Sequence, residues 1–279
     1  MSDLRFKMKG SLFDEGIPLP IALSSLQDIQ AIFDKTYLVI SGGKRITRKN
    51  REQFYLKTFA IKQGSLETDL SIFLDASQFV LPLIATYSVA EIWNFTKESW
   101  EFLKLIYDYS SKGEKPTYSA NNNSTINVHN GDNIHVYNAP VYQIAQLSVG
   151  HWRSLNHKLK TGQIDNYTLG NPQNPEIDLS STNKYIFDNP TNIDKNNLQI
   201  VCDIFDFNKR QNSGKLSIKD GNSLPDGDYL FSVIGSQDYI DYISSMAQSE
   251  TTVTVLKEVS INPLGDSKVV KLHIVEINS

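Results

Sequence analysis

The stretch LQIVCDIFDFNKRQNSGKLSIKDGNSLPDGDYLFSVI, residues 198–234, decides how the fold is read. Runs rich in Ile, Val, Leu and Phe are cut apart by Asn212-Ser213-Gly214, Asp220-Gly221 and Pro225-Asp226-Gly227. These residue types mark turns because glycine takes positive φ freely, proline fixes φ, and Asn and Asp bond their own backbone. Leu198–Phe207, Gly214–Lys219 and Asp228–Ile234 therefore read as strands. Two more follow, Thr251–Val259 and Val269–Ile277, separated by Asn262-Pro263-Leu264-Gly265. Gln237–Gln248, with Tyr239, Ile240, Ile243 and Met246 as its apolar positions, reads as a helix between the third and fourth strands. Five strands with one inserted helix predict a small β-barrel of OB-like or SH3-like kind.

Upstream the pattern changes. Leu4, Phe6 and Met8 alternate with Arg5, Lys7 and Lys9, a half-buried strand. Gly16–Pro20 is a turn, and Ile21–Ile40 carries Leu26, Ile29, Ile32, Phe33 and Tyr37 at mostly helical spacing, with Gly42 and Gly43 as its stop. Phe54–Lys62 and Leu66–Leu74 are two strands joined by Gln63-Gly64-Ser65. The order β-α-β-β predicts an α+β module. Ala76–Tyr109 is apolar and aromatic, with Pro82 in a first helical turn or at a kink, and helical spacing from Val89 onward. Trp93 and Trp100, seven apart, share a face. The polar stretch Ser110–Ser124 reads as a linker, Gln143–Lys160 as a helix weakened by Gly150, and Gly162–Asn197 as loop. The expected class is α+β: a β-α-β-β module with long apolar helices, then a five-stranded barrel. The expected domains are 1–109, an Asn-rich linker and β repeat over 110–143, and a β-rich region over 144–279.

Within that linker region INVHNGDN (Ile126–Asn133) is followed directly by IHVYNAPV (Ile134–Val141). Ile126 aligns with Ile134, Val128 with Val136 and Asn130 with Asn138. Ile/Val alternating with Asn, His and Tyr is a period-two strand pattern. One reading is a homotypic β interface, in which Asn side chains form ladders between copies. The other is a hairpin turning at Asn130-Gly131, the strongest short hairpin signal. The segment loosely resembles short amyloid-signalling motifs of the RHIM type: Val128, Gly131 and Asn133 match in type, and Asn130 stands where a branched apolar residue is expected. The residues expected to carry oligomerisation are Ile126, Val128, Asn130, Ile134, Val136, Asn138, Trp93 and Trp100.

The chain has 279 residues, a formal net charge of −4 and one cysteine. The mild charge gives no general reason to expect a nucleic-acid partner. One cysteine excludes an intramolecular disulfide, and Met1–Gly10 has no apolar segment of signal-peptide length. A cytoplasmic setting is expected, with membrane association through Phe79–Tyr109 as an alternative, although its nearly uncharged part, Phe79–Phe95, is shorter than the ~20 apolar residues of a spanning helix. Lys44, Arg45, Arg48, Lys49 and Arg51, beside Gly42-Gly43, are an anion-binding candidate, and lack P-loop spacing. His129, His135, His151 and His157 lack metal-ligand spacing, so no metal or cofactor is expected. Cys202 sits mid-strand as a buried thiol, no Gly-x-Ser-x-Gly occurs, and catalytic residues are not expected. Phe205, Phe207, Tyr229 and Phe231 would be a base-stacking platform or simple core.

On Phe13-Asp14-Glu15-Gly16-Ile17-Pro18-Leu19-Pro20, Gly64-Ser65, Ile92-Trp93 and Ile126–Asn138, the layout resembles a group of uncharacterised bacterial proteins. These have an α+β module, a Trp-bearing apolar helix, an Asn-rich hinge and a small barrel. The resemblance implies no activity; a setting in antiphage defence or stress response goes with it by association. The leading expectation is a non-enzymatic, self-assembling protein, a homo-oligomer with room for a protein partner. The alternatives are a nucleic-acid or nucleotide binding module and a membrane-perturbing effector.

Overall fold

The computed structural model describes residues 4–62, 64–75, 88–114, 117–121, 125–130, 133–218, 224–234, 238–265 and 267–278. The first part of the apolar stretch (76–87, with Pro82), Gly131, Asp220-Gly221 and part of the Asn-rich linker lie outside them. The chain divides into two compact units, Met1–Asp188 and Asn189–Ser279. This boundary differs from those expected near 110 and 144, because strands after residue 162 pair back onto the first strand of the chain.

In the first unit, β1 (Leu4–Lys9), β2 (Phe54–Lys62), β3 (Leu66–Leu74), β7 (Asn166–Gly170) and β8 (Pro175–Ser180) form one antiparallel sheet. Its order is β2-β3-β1-β7-β8. The alternation of β1 does what its sequence asks: Leu4, Phe6 and Met8 are buried, while Arg5 and Lys7 lie on the other face. There Arg5 Nε meets Asp69 at 2.7 Å, and Lys7 bonds the buried Glu67. β7 and β8 arise in the region expected to be loop. Their apolar residues, Tyr167, Leu169, Ile177 and Leu179, are few but all inward-facing, so the signal was short rather than absent.

Helices α1 (Leu19–Ser41), α3 (Val89–Ser111) and α4 (Ala139–His157) pack against one another, and α2 (Arg48–Gln53) is one short turn before β2. α1 ends at Gly42, whose φ of 66° is left-handed and whose N–H reaches back to Leu38 and Val39 carbonyls. α3 begins at Ser88, where Ser88 and Glu91 form a reciprocal capping box. Pro140 sits in the first turn of α4, where its missing N–H costs nothing. Trp100 contacts the rings of Trp152 and Phe187 at 4.8 Å each, and Phe33 stacks on Trp93 at 6.1 Å. Thr36 and Thr96 hydroxyls bond each other at 2.8 Å between α1 and α3. On α4, Ser148, Trp152 and Asn156 are fully buried one turn apart. Ser148 Oγ, Trp152 Nε1 and Asn156 Nδ2 find no protein partner, which is the usual place of an ordered water.

The second unit is a closed five-stranded barrel of β10 (Leu198–Asn208), β11 (Ser213–Ile218), β12 (Gly227–Val233), β13 (Thr251–Ser260) and β14 (Lys268–Asn278). Helix α5 (Tyr239–Ser245) lies between β12 and β13, and the short β9 (Thr191–Ile193) adds to β13. The ring runs β10-β11-β12-β14-β13-β10, with only β12 and β14 parallel. That order, with the helix between the third and fourth strands, is the OB arrangement and excludes the SH3-like one. Ile200, Ile204, Leu216, Phe231, Val253, Val255, Leu272 and Ile274 fill the interior. Phe207 and Phe231 lie parallel at 6.2 Å across Gly214, and Tyr242 of α5 stacks on Phe207 at 4.8 Å. A Cβ on Gly214 would stand 2.8 Å from the Phe231 ring and 1.9 Å from the Asp206 carbonyl, so only glycine fits there.

Candidate interface on the three-stranded sheet

β4 (Thr117–Asn121), β5 (Thr125–Asn130) and β6 (Asn133–Asn138) make a separate antiparallel sheet in the first unit, ordered β4-β5-β6. The repeat is thus paired with itself inside one chain. The register sets Asn130 opposite Asn133, leaving a two-residue connection at 131 and 132. Residues opposite each other sum to an odd number, so even positions of β5 share a face with odd positions of β6. The aligned pairs Ile126/Ile134 and Val128/Val136 therefore end on opposite faces.

The inner face carries Ile126, Val128, His135 and Tyr137, joined by Tyr118 of β4 opposite Val128. It covers α3 and the start of α4. Phe102 is the centre: Tyr137 and Tyr142 meet it edge-on at 5.0 and 5.9 Å, and Tyr118 lies tilted to it at 6.5 Å. Val128 is fully buried. Burial pushes the Tyr118 hydroxyl up to about 12 and raises that of Tyr137, with Tyr142 beside the first and Glu101 beside the second adding to it. Tyr109 and His135 Nε2 are hydrogen-bonded at 3.2 Å.

The outer face carries Thr117, Ser119, Asn127, His129, Ile134 and Val136. Ile134 is 59% exposed and Val136 62% exposed. No Lys, Arg, Asp or Glu stands on β4, β5 or β6. Strand edges are commonly defended by lysine, proline or a bulge. The edges of the larger sheet have such defences. β2 carries Lys57 and a bulge between Thr58 and Ile61, and its Leu56 N–H is capped by Gln30 Oε1 at 2.8 Å; β8 begins with Pro175. β6 has no charge, no proline and no bulge. Asn138 doubles as the N-cap residue of α4, which fixes that end of β6 to the helical layer.

Trp93 and Trp100 are 5% and 2% exposed, and Trp93 Nε1 donates to Glu176 Oε1 at 3.1 Å. Their surface is used within the chain. Lys44, Arg45, Arg48 and Lys49 are exposed around the start of α2. Arg51 is not part of that set, since its guanidinium holds Asp34 through two bonds of 2.9 and 2.6 Å. The four clustered histidines take four different partners. His129 bonds Ser119 at 3.0 Å, His135 bonds Tyr109, His151 lies 3.5 Å from Asp28, and His157 bonds Asp188 at 2.7 Å. Among the described residues no three His, Cys, Asp or Glu gather as metal ligands. No helix among them is long and apolar enough to cross a membrane.

In the barrel, Phe231 is buried, Phe207 packs inward and Tyr229 bonds the Pro225 carbonyl at 2.8 Å, so of the expected platform only Phe205 stands exposed. Cys202 is buried and its thiol is pushed up to about 12 by desolvation, with Asp203 adding to it. That favours the inert protonated form. A Ser232–His273–Glu258 chain was not foreseen. Ser232 bonds Nδ1 at 2.7 Å and Glu258 bonds Nε2 at 3.0 Å. Ser232 and His273 face each other in the parallel pair, so the chain links three adjacent strands. The chain acts as a clamp on the barrel. The pairing of Asp28 with Ser154 (2.7 Å) and Lys158 was also missed, because its partners lie more than 120 residues apart.

No family model matches this chain, and no curated protein and no solved structure matches it either.

Proposed function

We propose that this protein is a non-enzymatic self-assembling protein whose copies meet through the β4–β6 sheet. The observation that carries the proposal is the undefended edge and outer face of β6, where Ile134 and Val136 stand exposed without a charge nearby on the sheet. Two copies meeting through the same patch bring identical groups together, so a charged patch repels itself and a neutral one does not. The backbone edge of β6 offers unpaired N–H and C=O groups, and pairing them with the same edge of a second copy extends the sheet. Ile134 and Val136 would then lie beside their counterparts and lose their exposed area to the contact.

The arrangement favours an ordered contact over fibril growth. The inner face is fixed to Phe102, and α4 starts directly after β6, so only one face and the strand edges remain available. The test is the mass of the full chain by light scattering over a concentration series. An oligomer that dissociates on dilution and is weakened by Val136→Asp supports the proposal. A monomer at every concentration removes it.

A further inference from the structure

The barrel is closed at one end and split at the other. β12 and β14 pair only over Phe231–Val233 and Leu272–Ile274. The preceding residues of each strand are held on their far sides, Gly227–Leu230 by β11 and Lys268–Lys271 by β13. Toward each other, Gly227–Leu230 and Lys268–Val270 make no strand pairing. The cause is local. Glu258 stands opposite Lys271 and Val259 opposite Val269, so Val270 is an extra residue in β14. Such a bulge bends its strand and ends the pairing beside it. The Ser232–His273–Glu258 chain pins the closed end. The split leaves a cleft of about 630 Å³ between the two strand starts.

We propose that this seam accepts an extended, uncharged peptide strand with alternating apolar residues, supplied by a partner protein. The seam has what such a strand needs. Both walls present backbone groups with no strand partner, so an inserted strand gains hydrogen bonds on two sides instead of the one an ordinary sheet edge offers. Tyr229 and Val269 pack against the core and make an apolar floor. Leu230, 55% exposed, and Val270, 38% exposed, make an apolar rim. Inward residues of the strand would rest on the floor and outward ones between the rim residues. Asp226 and Asp228 line one wall and Lys268 the other, a mixed lining with one more acid than base, which disfavours an acidic strand. Residues 189–279 hold eight Lys and Arg against twelve Asp and Glu, which opposes a polyanion in the same cleft. The four residues Gly227–Leu230 match an inserted segment of similar length, about 13 Å of strand.

The experiment is hydrogen–deuterium exchange of the full chain with a millimolar synthetic hexapeptide of alternating valine and threonine, blocked at both ends. The expected result is at least about tenfold slower exchange at those amides of 227–230 and 268–270 that point into the seam, because they gain partners while the others already bond β11 or β13. The same peptide N-methylated at alternate amides, which cannot bond on both sides, gives no slowing. Leu230→Lys with Val270→Lys abolishes the effect, while Val201→Lys, on an exposed position of β10, leaves it intact and controls for a general loss of folding. Unchanged exchange at the seam, or equal slowing by the methylated peptide or in the double variant, overturns the proposal. Slowing at the seam that grows with protein concentration without peptide assigns the seam to a second copy and also overturns it. Self-assembly through β6 can fail without affecting this result, since the readout is confined to the barrel.

Discussion

Val136→Asp is the sharpest perturbation of the assembly contact. Val136 is 62% exposed and Ile134 59% exposed, so most of each side chain still faces water in a single copy. Full burial of such a side chain contributes about 1.5–3 kcal/mol, and burial of the remaining share about 1–2 kcal/mol. A contact between two copies contains Val136 twice, so the substitution removes about 2–4 kcal/mol of apolar burial and sets two carboxylates near each other. At about 1.4 kcal/mol per tenfold, dissociation strengthens by roughly 30- to 700-fold. The fold of the single chain changes little, because substitutions at exposed positions away from special features stay within about 0.5 kcal/mol. The assay pairs a sedimentation or light-scattering dilution series with a denaturant melt of both proteins. An unchanged association constant in a Val136→Asp protein that melts normally would refute the assignment of β6 as the contact. A lowered melt together with lost association would instead show that Val136 supports the chain itself.

Trp100→Ala should cost about 3–5 kcal/mol of stability in a denaturant melt of the first unit, because Trp100 fills the space between Trp152, Tyr167 and Phe187. Arg51→Gln should lower stability by about 1–2 kcal/mol, since it leaves the mostly buried Asp34 without its two-pronged partner. Neutralising Lys44, Arg45, Arg48 and Lys49 together should instead leave stability within about 0.5 kcal/mol and abolish any salt-sensitive retention on heparin. Alkaline pH should weaken the barrel. The Cys202 thiol has an ordinary value of 9.0 and sits at about 12 in the folded chain. The unfolded chain therefore loses this proton first: the contribution is whole below pH 9 and falls by about 1.4 kcal/mol per pH unit toward 12. Cys202→Ala should flatten that slope in denaturant melts at pH 9–11, and an equal slope in both proteins would place its origin elsewhere.

Much of the barrel is legible in the sequence. Its strands match the expected spans to within a residue or two, because turn residues bound each one and their side chains alternate between core and solvent. The choice between OB and SH3 order was not legible, since it depends on β12 lying parallel beside β14, forty residues away. β7 and β8 were hidden by Asn, Pro and Asp on their exposed positions, with only Tyr167, Leu169, Ile177 and Leu179 to mark them. The site divides in the same way. Ile134 and Val136 were visible as strand residues, while Trp93 and Trp100 looked equally available and proved to be core.

The sequence by itself determined the local pieces: which segments are strands and helices, where Gly42 stops one helix and helical spacing from Val89 starts another, and that the repeat is β. Those features depend on neighbours a few residues apart, through backbone preference and side-chain period. Only the tertiary structure decided what each piece touches. A two-residue connection turned Ile134 and Val136 outward while Ile126 and Val128 turned in, a parity that no alignment of the repeat reveals. One extra residue at Val270 split the barrel seam, and β1 drew β7 into the first unit across more than 150 residues. Register and long-range pairing are properties of two strands together, and a single strand's sequence fixes neither.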